Sequence, residues 1–269
     1  MATRIKTGLI MAVVFIGVML LSHTVVLHIA IAAVSFIALG EVYNISLRQC
    51  PYWVRIPGLI FSVAYPLSAL IPEIPYAALV YVLMVSLFIM QLKNVDIIHI
   101  KDIAIAFIFA YLISVTISTV LLIRQLPDGA YMIYMVFIIP WMSDTLAYFF
   151  GRAFGKKKLC PHISPNKTVV GAVFGVLGGA VAVLLFDLVL TYVLHLKTQN
   201  MGIFLVVGIF CSVISEIGDL SASIVKRQFG AKDYGSIFPG HGGMMDRFDS
   251  VFFVAPIIYY FMQFFQIIQ

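Results

Sequence analysis

The chain has 269 residues, a mean hydropathy of +1.06 and only 11% charged residues. Soluble globular proteins carry about 25% charged residues, so this composition excludes a soluble globular chain and indicates an integral membrane protein. The net charge of +5 suits anionic lipid headgroups or polyphosphate ligands.

Nine apolar segments approach or exceed the roughly 20 residues that a helix needs to cross a bilayer. Their approximate bounds are 8–21, 24–45, 53–71, 76–92, 103–123, 130–150, 168–194, 201–225 and 248–268. Lipid offers the backbone no hydrogen-bond partners, and these runs lack the alternation of barrel strands, so we predict helices. The predicted fold class is all-α, a polytopic membrane helix bundle of about nine transmembrane helices.

The basic residues predict how this bundle is oriented. If the N-terminus is cytoplasmic and nine helices alternate, all of the 17 Lys and Arg residues except Arg124 and Lys197 fall on the cytoplasmic side. Cytoplasmic loops carry an excess of Lys and Arg. We therefore expect a multi-pass protein of the plasma (inner) membrane with a cytoplasmic N-terminus.

The loops between the segments are too short for an extramembrane domain, so residues 1–269 are predicted to form a single membrane domain. Residues 1–125 have few polar side chains within the segments and are predicted to be mainly scaffold helices. Glu41, near the end of the second segment, is interpreted as an interfacial residue. Residues 126–269 are predicted to carry the catalytic helices and cytoplasmic loops.

Asp144, Tyr148 and Arg152 recur at i, i+4 and i+8, which places them on one face of the sixth helix. An acid within a span is costly and normally faces a cavity or a partner. Asp144 and Arg152 are therefore candidate substrate-binding residues. A purely structural pair between them, bridged by a third group, is the alternative.

The loop at 151–168 is rich in lysine and also contains Ser164 and Thr168. Lysines bind phosphate as point charges, and hydroxyls near a helix start can hold anionic oxygens. Ser164, Lys167 and Thr168 are therefore candidate substrate-binding residues, and a solvated basic loop is the alternative. A ridge of small residues follows and is predicted to serve helix packing: Gly171, Gly175, Gly178 and Gly179.

Polar residues in the eighth helix are spaced by three and four, so they form one stripe. They are Ser212, Ser215, Glu216, Asp219, Ser223 and Lys226. A carboxylate near the centre of a span costs about 2–3 kcal/mol, so this stripe should face a polar cavity. Asp219 needs a cation, which Lys226, Arg227 or a metal ion could supply.

Three carboxylates offer the oxygen ligands that Mg²⁺ prefers, namely Asp219 together with Asp246 and Asp249 at the start of the ninth helix. In nucleotidyl transfer the protein positions the substrates and neutralises charge, and metals hold the reacting oxygens. Basic residues available for the phosphates are Lys226, Arg227, Lys232 and Arg247. Gly240, Gly242 and Gly243 would allow the backbone to approach the phosphates. His241 either donates to a phosphate or braces the loop.

From Ser223 to Asp249 the chain reads SIVKRQFGAKDYGSIFPGHGGMMDRFD. This stretch matches the phosphatidate cytidylyltransferase signature at every position, and the chain resembles that family. The resemblance extends to a second group, consisting of Asp144, Tyr148, Gly151, Arg152, Ser164, Pro165, Lys167, Thr168 and Gly171. One departure is Val170, where many relatives carry Glu.

The resemblance implies a nucleotidyltransferase of phospholipid synthesis. It would convert CTP and phosphatidic acid to CDP-diacylglycerol and pyrophosphate at the cytoplasmic membrane face. Mg²⁺ is the implied cofactor, and a second cation is left open. Asp219, Asp246, Lys226 and Arg227 are then the catalytic residues, and Ser223, Gly242 and Gly243 join the substrate-binding set. The expected partners are CTP, phosphatidic acid and the lipid bilayer, with no nucleic acid; a homodimer is left open.

Two other functions remain alternatives. A CTP-dependent polyprenol or phytol kinase would transfer the γ-phosphoryl group to an alcohol and leave no cytidine in the product. A secondary transporter should have internal repeats and broken helices at the midplane. The sequence has no evident repeat, and its polar residues cluster towards one face.

Overall fold

The structure, a computed structural model, describes residues 2–71 and 73–265, and residues 2–5 by their backbone alone. The helices are α1 (Ala2–Leu20), α2 (Val25–Ser46), α3 (Ile56–Leu67), α4 (Tyr76–Lys93), α5 (Ile100–Gln125), α6 (Gly129–Met132), α7 (Met135–Phe154), α8 (Val169–Tyr192), α9 (Met201–Gln228) and α10 (Met245–Phe264). Short 3₁₀ turns, Tyr52–Arg55 and Ser68–Leu70, flank α3. Two short strands are present, β1 (Lys158–Cys160) and β2 (Ser164–Thr168).

Among the described residues, seven helical stretches are long and apolar enough to cross a membrane. The predicted helical membrane bundle is confirmed. Two predicted spans are not among the seven. The apolar part of α1 is short, and α10 carries Asp246, Arg247 and Asp249 in its first turns. Residues 266–268 of the predicted ninth span lie outside the described part of the chain, so the count of nine stays a prediction, as does the orientation.

The outward faces of these helices are apolar. Leu20, Ile60 and Val206 are 69%, 63% and 65% exposed. Soluble monomers rarely expose contiguous apolar surface on this scale, whereas lipid tails solvate it without cost. The chain is therefore a multi-pass membrane protein.

The chain divides into two compact units. Unit 1 comprises Met1–Leu121 and Gln228–Phe248. Within it α2 is tied to α5 by hydrogen bonds: Ser35 Oγ donates to Ser114 Oγ (3.1 Å) and Tyr43 OH donates to the Ala106 carbonyl (2.6 Å). These bonds satisfy polar groups that the apolar helices would otherwise bury unpaired.

Unit 2 comprises Leu122–Arg227 and Asp249–Gln269. Its helices α7 and α8 pack closely, and the rings of Phe150 and Phe174 stack with centroids 3.9 Å apart. A Cβ at Gly178 would lie 2.8 Å from Ser143 Cα on α7, and one at Gly179 would overlap the Gly208 carbonyl oxygen on α9. The glycine ridge of α8 therefore does serve close helix packing, as the sequence predicts.

The basic loop of unit 2 contains a feature that the sequence reasoning missed. Strands β1 and β2 form an antiparallel hairpin in which Lys158 pairs with Thr168 and Cys160 with Ser164. The hairpin leads directly into α8, whose first turn is capped by Thr168: its hydroxyl oxygen accepts from the Gly171 N–H at 3.1 Å. The start of α8 therefore fixes one end of the hairpin.

Candidate active site

The polar stripe of α9 lies on the helix face that is buried within the protein. Ser212, Ser215, Ser223 and Lys226 are all buried, whereas large apolar residues on the other side are exposed. Those exposed residues are Val213, Ile217 and Ile224. This is the reverse of a soluble helix, and it is what a membrane helix needs when its polar groups face other protein groups.

Four carboxylates gather along this stripe in unit 2, and we call them the acidic cluster: Asp144 on α7, Glu216 and Asp219 on α9, and Asp249 on α10. Asp249, which is only 8% exposed, interacts electrostatically with Asp144 and Asp219. Glu216 also interacts with Asp144 and Asp219. Like charges so close together in a medium of low dielectric repel one another, so the cluster needs cations.

Two lysines, one on β2 and one on α9, supply part of the positive charge that the acidic cluster needs. Lys167, at the end of β2, forms an ion pair with Asp219. The buried Lys226 interacts with Asp249. The sequence had left Lys226, Arg227 or a metal as the partner of Asp219, so Lys167 is an addition to those alternatives. Arg227 instead donates from Nε to the Ile163 carbonyl at 3.2 Å, which ties the hairpin to the end of α9.

Three buried polar atoms beside the acidic cluster have no hydrogen-bond partner among the described residues. They are Ser143 Oγ, Ser215 Oγ and Glu216 Oε1. Gly175 on α8 makes room for two of these atoms, since a Cβ there would overlap Glu216 Oε1 and lie 3.2 Å from Ser143 Oγ. Buried polar atoms are nearly always satisfied, so this spot suits a cation or an ordered water.

The residues of the acidic cluster fit a metal ion that the substrate helps to bind. Within the described residues, no three His, Cys, Asp or Glu side chains are already arranged as a metal cage. Mg²⁺, however, is usually held by one or two carboxylates, several waters and substrate phosphates. Asp219 and Asp249 provide such a pair, and the unsatisfied Glu216 oxygen is a further oxygen donor of the right kind.

The remaining site residues predicted for unit 2 lie on α7, on β2 and on α9. Arg152 donates from Nη1 to the Tyr148 hydroxyl at 2.9 Å, which ties these two predicted residues of the α7 face together. Ser164 begins β2, and Thr168 ends it as the cap of α8. Ser223 is buried on the α9 stripe.

Unit 1 contains the other predicted site residues, in a glycine loop that we define as residues 229–244, and in the first turn of α10. Asp246 holds this loop, since its Oδ2 accepts from the N–H groups of Tyr234 (2.9 Å) and Gly243 (3.0 Å). Lys232 and Arg247 are exposed. The positions of these two cations suit the capture of an anion from solvent.

A tight turn shapes the tip of the glycine loop. The N–H of Phe238 donates to the Gly242 carbonyl (3.0 Å), and that of His241 donates to the Phe238 carbonyl (2.8 Å). Gly240 and Gly242 have φ values of +81° and +84°, which other residues rarely adopt, so the backbone itself requires glycine there. His241 Nδ1 is buried without a partner in the described part, which leaves both predicted roles of His241 open.

Comparison with known proteins identifies the family of the chain. The cytidylyltransferase family profile matches residues 2–265. The chain belongs to the cytidylyltransferase family. It is 34% identical over 262 residues to the phosphatidate cytidylyltransferase of Staphylococcus aureus (strain COL), and 32% identical over 263 residues to that of Staphylococcus haemolyticus (strain JCSC1435). Both matches cover 96% of this chain and 97% of the relative, so family membership extends over both units.

Within this family member, two residues have contacts that sequence reasoning did not anticipate. Lys167 was predicted to bind substrate, but its pairing with Asp219 was not predicted. Glu41 was interpreted as interfacial, which stays a prediction, and its contact was not foreseen: its Oε2 accepts from the Met245 N–H at 2.9 Å. The cost of a carboxylate in an apolar span applies to Glu41 as it does to Asp144, so the sequence indicates that Glu41 needs a partner but does not identify it.

Proposed function

We propose that this chain is a nucleotidyltransferase that converts CTP and phosphatidic acid to CDP-diacylglycerol and pyrophosphate in phospholipid synthesis. The observation that carries the proposal is the acidic cluster of unit 2, with Lys167 and Lys226 against its carboxylates, in a membrane-spanning member of the cytidylyltransferase family. The lipid substrate is that of the relatives, which are phosphatidate cytidylyltransferases.

Each unit contributes groups of the type that this reaction needs. In unit 2, Asp219 and Asp249 would hold Mg²⁺, while Lys167, Lys226 and Arg227 would hold phosphate oxygens. Of these three, Lys167 pairs with Asp219 and Lys226 interacts with Asp249. In unit 1, Asp246 keeps the metal-binding role that the sequence motif gives it. We use the same sequence motif to assign five residues of unit 1 to the nucleotide phosphates. They are the loop residues His241, Gly242 and Gly243 and the exposed cations Lys232 and Arg247.

The proposed chemistry is a displacement at phosphorus. A phosphate oxygen of phosphatidic acid forms a bond to the α-phosphorus of CTP, and the bond between that phosphorus and the oxygen bridging to the β-phosphorus breaks. Pyrophosphate leaves with the electron pair. Bound Mg²⁺ would neutralise the charge on the phosphate oxygens. The lysines of unit 2 contribute fixed positive charge that costs no reorganisation when the leaving group becomes more negative.

Lys167 has a specific part in this proposal. Lys167 forms an ion pair with Asp219, which in turn interacts electrostatically with Asp249. The lysine therefore reduces the repulsion between these two carboxylates. A Mg²⁺ ion held by Asp219 would neutralise that carboxylate, and the charge of Lys167 would then be available to a phosphate. The side chains of Lys167 and Asp219 are 28% and 25% exposed, so both can be reached from solvent.

We also propose where the reaction occurs and how the chain assembles. The basic loops favour a cytoplasmic N-terminus and an active site that faces the cytoplasm, in the plasma membrane of a bacterium like those of the relatives. Helix α4 buries only Leu83 and Leu87 among its described residues. Its remaining apolar surface is available to lipid or to a second copy, which keeps the homodimer as a proposal.

The first experiment measures pyrophosphate release by protein purified in detergent with phosphatidic acid, CTP and Mg²⁺. We expect turnover that requires all three, and we expect Asp219→Asn and Asp246→Asn each to reduce it by about a hundredfold to a thousandfold, as is typical for loss of a group that stabilises transition-state charge. Asp96→Asn, an exposed site in unit 1, is the control and should retain full activity. Full activity in either of the first two variants would contradict the proposed metal site.

A further inference from the structure

Glu41 is a carboxylate within α2, a helix that is otherwise largely apolar. A charged group in a membrane helix is tolerated when it faces protein partners. The partner of Glu41 is the backbone at the start of α10, since its Oε2 accepts from the Met245 N–H at 2.9 Å. The two residues are 204 positions apart in the chain, so this bond closes unit 1 over a long distance.

The bond has a definite role at the helix start. Met245 is the first residue of α10, and the first N–H groups of a helix have no partner within the helix. A negative group at that end also interacts favourably with the helix dipole. Glu41 therefore caps α10 from a distant part of the sequence.

The same carboxylate shapes the glycine loop. A Cβ at Gly235 would overlap Glu41 Oε1 and lie 2.6 Å from Glu41 Cδ, and one at Gly243 would overlap Oε2 and lie 2.6 Å from Cδ. The backbone of the loop thus packs against Glu41 at two separate points. Glycine is required at both positions because the carboxylate of Glu41 occupies the space of a side chain.

Asp246 contacts the loop at one of these same points. The Gly243 N–H donates to Asp246 Oδ2 at 3.0 Å, and the Tyr234 N–H, one residue before Gly235, donates to the same atom at 2.9 Å. Glu41 and Asp246 thus hold adjacent parts of one loop. If Glu41 lost its contacts, the backbone that fixes the Asp246 carboxylate would lose its support.

We propose that Glu41 is a positioning residue, which holds the glycine loop and the first turn of α10 in the conformation that presents Asp246 and His241 to the substrates. The catalytic part of this inference rests on the proposed function. The structural part, that Glu41 fixes the loop, stands on the contacts alone.

The test compares two substitutions of similar size. In Glu41→Gln the side-chain carbonyl can still accept from the Met245 N–H, whereas Glu41→Leu fills the space and cannot accept. Glu41→Gln loses only the charge and should lower kcat about threefold. Glu41→Leu also loses the hydrogen bond and should lower kcat about tenfold or more, because the buried Met245 N–H is left unpaired. KM for phosphatidic acid should be unchanged, and the Mg²⁺ concentration for half-maximal rate should rise in the Leu variant.

A second measurement does not depend on activity. Lys232 is an exposed trypsin site within the glycine loop, and Lys156, Lys157 and Lys158 provide exposed sites in unit 2. In detergent and without substrate, we expect cleavage after Lys232 to be about tenfold faster in Glu41→Leu and close to the wild-type rate in Glu41→Gln. Cleavage at the unit 2 sites should be unchanged, and Glu73→Leu, an exposed control in unit 1, should change neither.

The proposal is overturned if Glu41→Leu is cleaved after Lys232 no faster than the wild type, or if Glu41→Gln is as impaired as Glu41→Leu. A general folding defect in Glu41→Leu would speed cleavage at the lysines of both units, and the test would then rest on Glu41→Gln. Faster cleavage of Glu41→Gln after Lys232 alone would contradict the role of the side-chain oxygen as a hydrogen-bond acceptor. If the wild type had no cytidylyltransferase activity, the proposed function would fail, but the cleavage rates would still test whether Glu41 holds the loop.

Discussion

Lys167 and Asp219 come from different elements of unit 2, β2 and α9, and form an ion pair at the edge of the acidic cluster. These side chains are 28% and 25% exposed, so the pair is partly buried and solvent screening reduces its contribution to stability without removing it. We therefore expect the pair to contribute modestly as a structural contact. Its position beside Asp249 and Lys226 gives it more value as a source of charge for the reaction.

Replacing Lys167 should therefore affect activity more than stability. We expect Lys167→Met to lower kcat/KM for CTP roughly tenfold or more, the effect of losing one charge-assisted hydrogen bond to a phosphate. Lys167→Arg should lose less, because it keeps the charge. Steady-state kinetics with varied CTP provides the measurement. Lys158→Met, an exposed lysine of the same hairpin, is the matched control and should stay near the wild-type rate.

A result that contradicts this role would be a Lys167→Met enzyme with unchanged kcat/KM and a melting temperature several degrees lower. Lys167 would then be a structural partner of Asp219 only. Equal losses in the Lys158 and Lys167 variants would instead indicate a diffuse effect of positive charge on the hairpin, and would also contradict a specific role for Lys167.

Single residues of the site differ in how far the sequence could predict them. Asp219 and Glu216 could be placed on a polar stripe because helical spacing puts them on one face. Their partners could not be found in this way, since Lys167 reaches Asp219 through a hairpin that the sequence analysis did not foresee. The contact of Glu41 could not be predicted, because its partner is a backbone N–H, which has no signature in a sequence.

At the scale of elements, the membrane helices were predicted closely because long apolar runs leave few other choices. Helix α4, for example, spans Tyr76–Lys93 and was predicted at 76–92. The hairpin was missed because its strands have only three and five residues, and the second is polar and contains Pro165. The predicted sixth span is two helices, α6 and α7, with a break between Met132 and Met135 that no Gly or Pro marks.

Helix packing in unit 2 gives a direct test of the glycine ridge on α8. A Cβ at Gly179 would overlap the Gly208 carbonyl oxygen, so Gly179→Ala should force α8 and α9 apart and cost about 1–3 kcal/mol. Gly202→Ala is the matched control, because a Cβ at this position on α9 meets no atom within 4 Å. That variant should be neutral or slightly more stable, since Ala favours a helix over Gly.

The measurement is the melting temperature of each variant in the same detergent. We expect a clear drop for Gly179→Ala and none for Gly202→Ala. If both variants melted together with the wild type, the close contact between α8 and α9 at Gly179 would be contradicted. If both dropped equally, the effect would come from glycine flexibility and not from packing.

At the scale of the whole molecule, composition alone was enough to identify a membrane protein, and the described helices agree. The match of the family profile to residues 2–265 extends the family assignment to helices whose sequence gave no chemical signal. Orientation and the number of spans depend on the bilayer itself. They remain predictions from the distribution of Lys and Arg, because the fold of the chain does not encode which side is the cytoplasm.

The central claim is that the α-phosphorus of CTP, and not the γ-phosphorus, is transferred to a lipid. It is tested most directly by incubating the purified protein with phosphatidic acid, Mg²⁺ and CTP radiolabelled at either the α- or the γ-position, and then separating lipid from water-soluble products. We predict that the α-label enters the lipid fraction and the γ-label leaves as pyrophosphate. Label from the γ-position in the lipid, with CDP in the water phase, would identify a lipid kinase and contradict the account.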